Sequence, residues 1–187
     1  MLNKLFVDFA TWIGEQSWSV GLHESFYMYN WVESTHVMTL MLSLGMLFVI
    51  DLRMLGLCLK NVPASKVAAR LDTPMMIGFA LMFVTGVLLY VGIPVRTTQS
   101  IWFRLKMILL VAAAINAWLF RRHMAASVNS WDLAPVPPTR TRVGAGLSLA
   151  LWTGVIVCGR FIAYDWFDCG NPDNSAFINW AAGCMAQ

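Results

Sequence analysis

TPMMIGFALMFVTGVLLYVGIPV, residues 73–95, carries no charged side chain. A hydrocarbon core about 30 Å thick needs roughly 20 apolar residues of helix to cross it. With Met75, Met76, Phe79, Leu81, Phe83, Val87 and Leu88 along its length, this stretch alone can span a bilayer. Three more runs have clean centres and charges only near their ends. They are residues 32–59, with Glu33 at one end and Asp51 and Arg53 at the other, 103–120, with Arg104 and Lys106 at the start, and 143–164, with Arg160 near the finish. A charge at mid-bilayer is costly, so this distribution is the one a membrane requires.

Composition agrees. Of 187 residues 58% are hydrophobic and 12% charged, and the mean hydropathy is +0.63, whereas a soluble domain carries about 25% charged residues. A soluble fold of this size could not hide so much apolar surface. Length predicts one membrane domain over residues 1–187, all-α, an integral membrane four-helix bundle.

Lys and Arg in short loops stay on the cytoplasmic side. Lys60, Lys66 and Arg70 follow the first run, and Arg121, Arg122, Arg140 and Arg142 follow the third. The loop between the second and third adds only Arg96. The richer loops therefore go inside, and both termini go to the outer, periplasm-like face. The pI of about 8.8 then reflects residues beside an anionic leaflet rather than a nucleic-acid surface.

The first 30 residues lack the uniform apolar core of a signal peptide, because Asp8 and Glu15 interrupt them. Leu5, Phe9, Trp12 and Ile13 recur at helical spacing, which predicts an amphipathic helix lying in the interface, with Tyr27, Tyr29 and Trp31 as an aromatic belt. Cys169 and Cys184 bracket the polar outer tail, residues 165–187, where a disulfide persists, and they are expected to be bonded. Cys58 and Cys158 fall near opposite ends of their spans and read as packing residues. Pro63, Pro74 and Pro94 are expected to bracket the second span, and Ala134–Thr139 (APVPPT) to form a stiff inner loop.

Ionisable residues at membrane depth point to function because they cost free energy unless paired or solvated. On this topology Glu33, His36, Arg104, Lys106, Arg160 and Tyr164 reach a similar outer depth. Asp51, Arg53 and Asn116, with His123, make a smaller inner layer that reads as structural, Asp51 meeting a basic group from a neighbouring helix end or loop. Several cations at one depth call for an anion. Haem b would supply it through its propionates, with His36 as the iron ligand and Arg104, Lys106 and Arg160 on the carboxylates. A quinone head group is the rival, needing hydrogen-bond donors such as His36 and Tyr164. Copper is a third reading, from twelve Met, three His and four Cys, although the Met residues follow no tight repeat. No nucleotide-loop, zinc-hydrolase or Ser-His-Asp pattern occurs, and Gly144 and Gly146 read as close helix packing.

The segments WVESTH (31–36), DLRMLGL (51–57), FRLKM (103–107), SLALW (148–152) and GRFIAY (159–164) resemble an uncharacterised bacterial four-helix membrane protein family, and more distantly the CopD-type copper-resistance and HemJ-type membrane oxidase domains. The resemblance covers about residues 25–165. It implies the fold, a bacterial inner (cytoplasmic) membrane location and the polar positions named above, but no settled activity. Members often place His directly after the Phe that closes the third span. Here Arg121 stands there and the histidine is His123, which disfavours an inner haem ligand. Two functions are therefore expected to compete. One is a redox or respiratory membrane subunit that passes electrons through haem b or quinone at His36. The other is a non-catalytic anchor that holds partner subunits.

Overall fold

In a computed structural model, which describes residues 2–127, 130–164, 167 and 169–184, the uncharged stretch 73–95 belongs to a longer helix that starts well before Thr73. The described elements are α1 (Leu2–Gly14), α2 (Ser17–Glu24), α3 (Met28–Met54), α4 (Ala64–Gly92), α5 (Pro94–Thr98), α6 (Ile101–Ser127), α7 (Thr139–Ala163) and α8 (Ala176–Ala182). Among the described residues there is no strand. Helices α3, α4, α6 and α7 are long and apolar enough to cross a membrane.

The helices outrun the apolar runs because a charged side chain bars a residue from lipid, not from a helix. Lys66, Arg70 and Asp72 accordingly continue α4 outward, and Pro74, expected at its boundary, lies inside it. Proline leaves one carbonyl of the preceding turn without its usual donor, a local cost the rest of a long helix absorbs. At the other extreme α3 stops at Met54 rather than Leu59. Gly56, with φ 74°, turns the chain there, and a side chain at that position would press on the Pro135 carbonyl at 3.2 Å.

The N-terminal segment is two helices, separated at Glu15 and Gln16, rather than one. Helix α1 packs on α5 through a buried side that includes Ala10 and Ile13, while Leu5, Phe9 and Trp12 are exposed. Ile13 thus leaves the stripe to which its spacing assigned it. The helix is apolar on two adjacent sides, and spacing cannot tell the packed side from the open one.

Two units emerge from the packing, each drawing a segment from all four long helices. One comprises Met1–His36, Phe83–Ile108 and Val155–Gln187 and the other Val37–Met82 and Leu109–Gly154. In the first, Ile13, Leu22 and Val91 form a buried cluster, and the Ser19 hydroxyl donates to the Val91 carbonyl at 2.7 Å. In the second, Ile50, Met54, Val67, Met75 and Trp131 form the core, and Phe79 packs on Trp152 with ring centroids 5.0 Å apart.

The second unit is tied off by two loop contacts. Arg53, with 0% of its surface exposed, donates through Nε to the Val62 carbonyl at 2.9 Å and through Nη2 to the carbonyls of Ala134 at 3.2 Å and Asp132 at 3.4 Å. Asp132 in turn caps the start of α4: its Oδ1 accepts from the Ser65 N–H and its Oδ2 from the Ser65 hydroxyl, each at 2.7 Å. Its own carbonyl accepts from the Ala64 N–H at 3.1 Å. A carboxylate at a helix N-terminus satisfies open N–H groups and meets the positive end of the dipole. The Ser65 backbone and side-chain donors, helped by the charge of Arg53, hold the Asp132 carboxyl below the usual range despite some desolvation.

A carboxyl whose pKa is lowered by folding stabilises the folded state above its unfolded pKa, about 3.9, and the contribution disappears as pH falls through the lower folded value. Thermal unfolding in detergent should therefore show a stability loss on acidification below pH of about 4 that is reduced in Asp132→Asn. An identical acid profile in the variant would show that the cap contributes nothing.

Candidate functional site

The six side chains expected at one outer depth all fall in the same unit, but the structure distributes them among separate contacts. His36, half-buried on α3, meets α4: its Nδ1 lies 2.9 Å from Thr85 Oγ1, and its Cε1 is 3.2 Å from where a Cβ on Gly86 would stand. The ring reaches the backbone of α4 because residue 86 is glycine. Glu33, one turn earlier, instead acts on Tyr29 of its own helix, whose ring fills the space beside Gly92 at 2.8 Å from a Cβ there.

Arg104 is committed to the termini. Its Nη1 donates to Asn3 Oδ1 of α1 at 2.8 Å and to the Ala181 carbonyl of α8 at 3.1 Å, and its Nε donates to the Thr98 carbonyl at the end of α5 at 3.2 Å. Asn3 completes the link by donating to the Trp180 carbonyl at 3.0 Å. Gly183, with φ 75°, ends α8 with the guanidinium so close that a side chain there would collide with it. The disulfide between Cys169 and Cys184 closes the same tail, with Cα atoms 5.5 Å apart.

Arg160 and Tyr164 form a pair on α7's own surface. Nη2 donates to the Tyr164 hydroxyl at 2.7 Å and the guanidinium carbon stands 4.9 Å from the ring centroid. Both residues are exposed, Tyr164 at 61%, so they turn away from any internal pocket. Lys106 leans on α7, its Nζ 3.7 Å from where a Cβ on Gly159 would be, with the Cys158 thiol as its titratable neighbour. It makes no hydrogen bond or ion pair among the described residues. A cleft of about 10 Å³ beside Arg96, Thr97, Ser100 and Phe161 has room for one water molecule.

In the other unit Asp51 is bonded to the Ser148 hydroxyl rather than to a basic group, because Arg53 is taken up by the three backbone carbonyls. Asn116 Nδ2 donates to the Gly144 carbonyl at 3.1 Å, where Gly144 admits the Phe120 ring at 3.0 Å from a would-be Cβ. Arg121 pairs with Asp72. Cys58 and Cys158 are free thiols. Asp165, Trp166, Asp168 and residues 185–187, part of the expected outer tail, lie outside the described residues.

Thr85, Gly86, Trp102, Asn3 and Gly183 were not singled out from sequence. A glycine inside an apolar span is the available signal for Gly86, and for the others the partner is remote in the chain.

The sequence matches a family model described as a family of unknown function, DUF6644, over residues 9–165. No curated protein and no solved structure matches, so the CopD-type and HemJ-type likeness finds no support in these comparisons.

Gly183→Ala should loosen the tail, since it needs both a left-handed backbone and the space Arg104 occupies. Hydrogen exchange over residues 169–184 is expected to quicken by roughly tenfold, in line with a penalty of about 1 to 2 kcal/mol. Unchanged exchange would mean that the tail is held by the disulfide alone.

Proposed function

The chain belongs to DUF6644, a family of unknown function, and we propose that it is a non-catalytic anchor or accessory subunit of a larger complex in the bacterial inner membrane. The observation that carries this reading is the use of Arg104. An arginine at the start of a span is spent on gathering α1, α5 and α8, and the result is a folded platform at the chain's ends. That platform exposes Leu5, Phe9 and Trp12 from α1 and Phe177 and Trp180 from α8. Phe9 and Trp12 stack with centroids 5.9 Å apart, and Phe177 lies against Trp180 at 6.1 Å. Rigid aromatic side chains of this kind dominate protein contacts because they bury much area with little rotamer entropy. The termini belong on the periplasmic side in this reading. The disulfide favours an oxidising compartment, and the basic residues around Lys60, Lys66, Arg70, Arg140 and Arg142 favour the cytoplasm for the opposite loops.

Membranes solubilised gently from cells carrying the natural complement of partners should yield the chain in an assembly larger than itself on native gels. Trp12→Glu combined with Trp180→Glu should break that assembly while leaving the disulfide and helix content intact. A chain that migrates alone before any substitution would overturn the anchor reading.

A second reading, a redox centre at His36, is favoured by one observation: Thr85 fixes the imidazole orientation from a neighbouring helix, and Gly86 lets the ring lie against that helix. Outer hydrogen bonds of this kind orient functional histidines. The cations support haem b less than their shared position along the spans suggested, because Arg104 Nε and Nη1 and Arg160 Nη2 have partners within the chain. A quinone head group asks for less, a hydrogen-bonding group beside an apolar wall. Solvent extraction of gently purified protein should then recover quinone near one per chain, reduced at least about tenfold in His36→Ala, the scale of one strong hydrogen bond. Protein free of quinone, with a flat visible spectrum, would end this second reading and leave the anchor untouched.

A further inference from the structure

On one face of helix α6, one turn apart, lie two donors that lack a partner among the described residues. Trp102 Nε1 is buried and makes no hydrogen bond to them, and Lys106, four residues on, makes neither a hydrogen bond nor an ion pair with them. Residues at i and i+4 share a helix face, and both of these meet α7. The Trp102 ring packs on Phe161 with centroids 4.4 Å apart, and the Lys106 ammonium stands 3.7 Å from the place of a Gly159 Cβ.

A lysine near the end of a span ordinarily extends its stem and puts its ammonium among the head groups. Here the Trp102–Phe161 pair lies toward that end of α6, and Gly159 is two residues further into α7 than Phe161. The ammonium therefore stands beside Gly159, two positions further from the end of α7 than the residue that meets Trp102. Glycine at 159 leaves open the space that a side chain would fill beside it.

An indole N–H and an ammonium have donors and no acceptor. Satisfying both takes oxygen atoms, and neutralising Lys106 takes negative charge. The surroundings are lipid-like: α6 is the span least covered by the rest of the protein, and Leu105, Ile108 and Val157 are exposed. We propose that Trp102 and Lys106 form an oxyanion site on the α6–α7 face that takes the acidic head group of an amphiphile, a phosphate or a carboxylate, with its acyl chain along the exposed apolar side chains. The site is independent of the anchor reading and of His36.

The test uses purified full-length protein in uncharged detergent, with native mass spectrometry to count retained molecules of phosphatidylglycerol, oleate or, as an uncharged control, dioleoylglycerol. Phosphatidylglycerol and oleate should be retained about tenfold more than dioleoylglycerol, as expected of charge-assisted hydrogen bonds. Lys106→Met should remove most of that preference. Trp102→Phe, which keeps the ring packing on Phe161 and loses only the N–H, should reduce it by roughly threefold. Displacement of the lipid by millimolar inorganic phosphate would support the oxyanion chemistry and make the ligand a free anion, whereas resistance would support the amphiphile. Equal retention of charged and uncharged lipid by the natural chain would overturn the proposal. So would wild-type preference in Trp102→Phe, which stays informative even if Lys106→Met does not fold.

Discussion

Where a transmembrane helix ends or a loop tucks back, backbone carbonyls lose their helical donors, and near lipid there is little water to replace them. Two arginines meet this constraint, one in each unit. Arg53 gathers the Val62, Asp132 and Ala134 carbonyls, and Arg104 gathers those of Thr98 and Ala181 together with the Asn3 side chain. Guanidinium suits the task because its donors form a rigid planar fork, and one side chain can hold several segments in fixed relation. Lysine, with a single flexible point of charge, could not reproduce the set.

That use of charge changes the meaning of the polar residues in the spans. A cation at membrane depth invites a cofactor explanation, but one already bonded to several carbonyls has part of its solvation supplied by the fold itself. Arg104 is engaged in this way through Nε and Nη1, Arg160 turns outward to the Tyr164 hydroxyl, and Asp51 finds a serine hydroxyl. What remains is a smaller and more pointed set: His36 held by Thr85, and the Trp102–Lys106 pair with donors unspent. The open residues lie on different helix contacts, α3 with α4 and α6 with α7.

Legibility followed the number of coordinates each feature needs. Position along a span can be read from sequence, because it only requires counting from the charged ends, and the six candidates fall in one unit. Rotation about the helix axis could not be read. Arg160 and Tyr164 fall in the same unit as His36 but are exposed, and Ile13 shares the spacing of Leu5 and Phe9 yet packs inward. In a soluble protein the polar face would have told these orientations apart. In a span apolar all round, that signal is gone.

By itself the sequence determined the four apolar helices, the excess of basic residues in two of the loops and the two tail cysteines that pair, because each depends on local composition or on a short separation along the chain. The partners of Arg53, Arg104 and His36, and the lack of one for Lys106 among the described residues, were decided only by tertiary structure. Most lie far away in the chain, Asp132 and Ala134 for Arg53, Asn3 and Ala181 for Arg104 and Thr85 for His36, and the helix rotation that brings them together leaves no periodic trace in a uniformly apolar span.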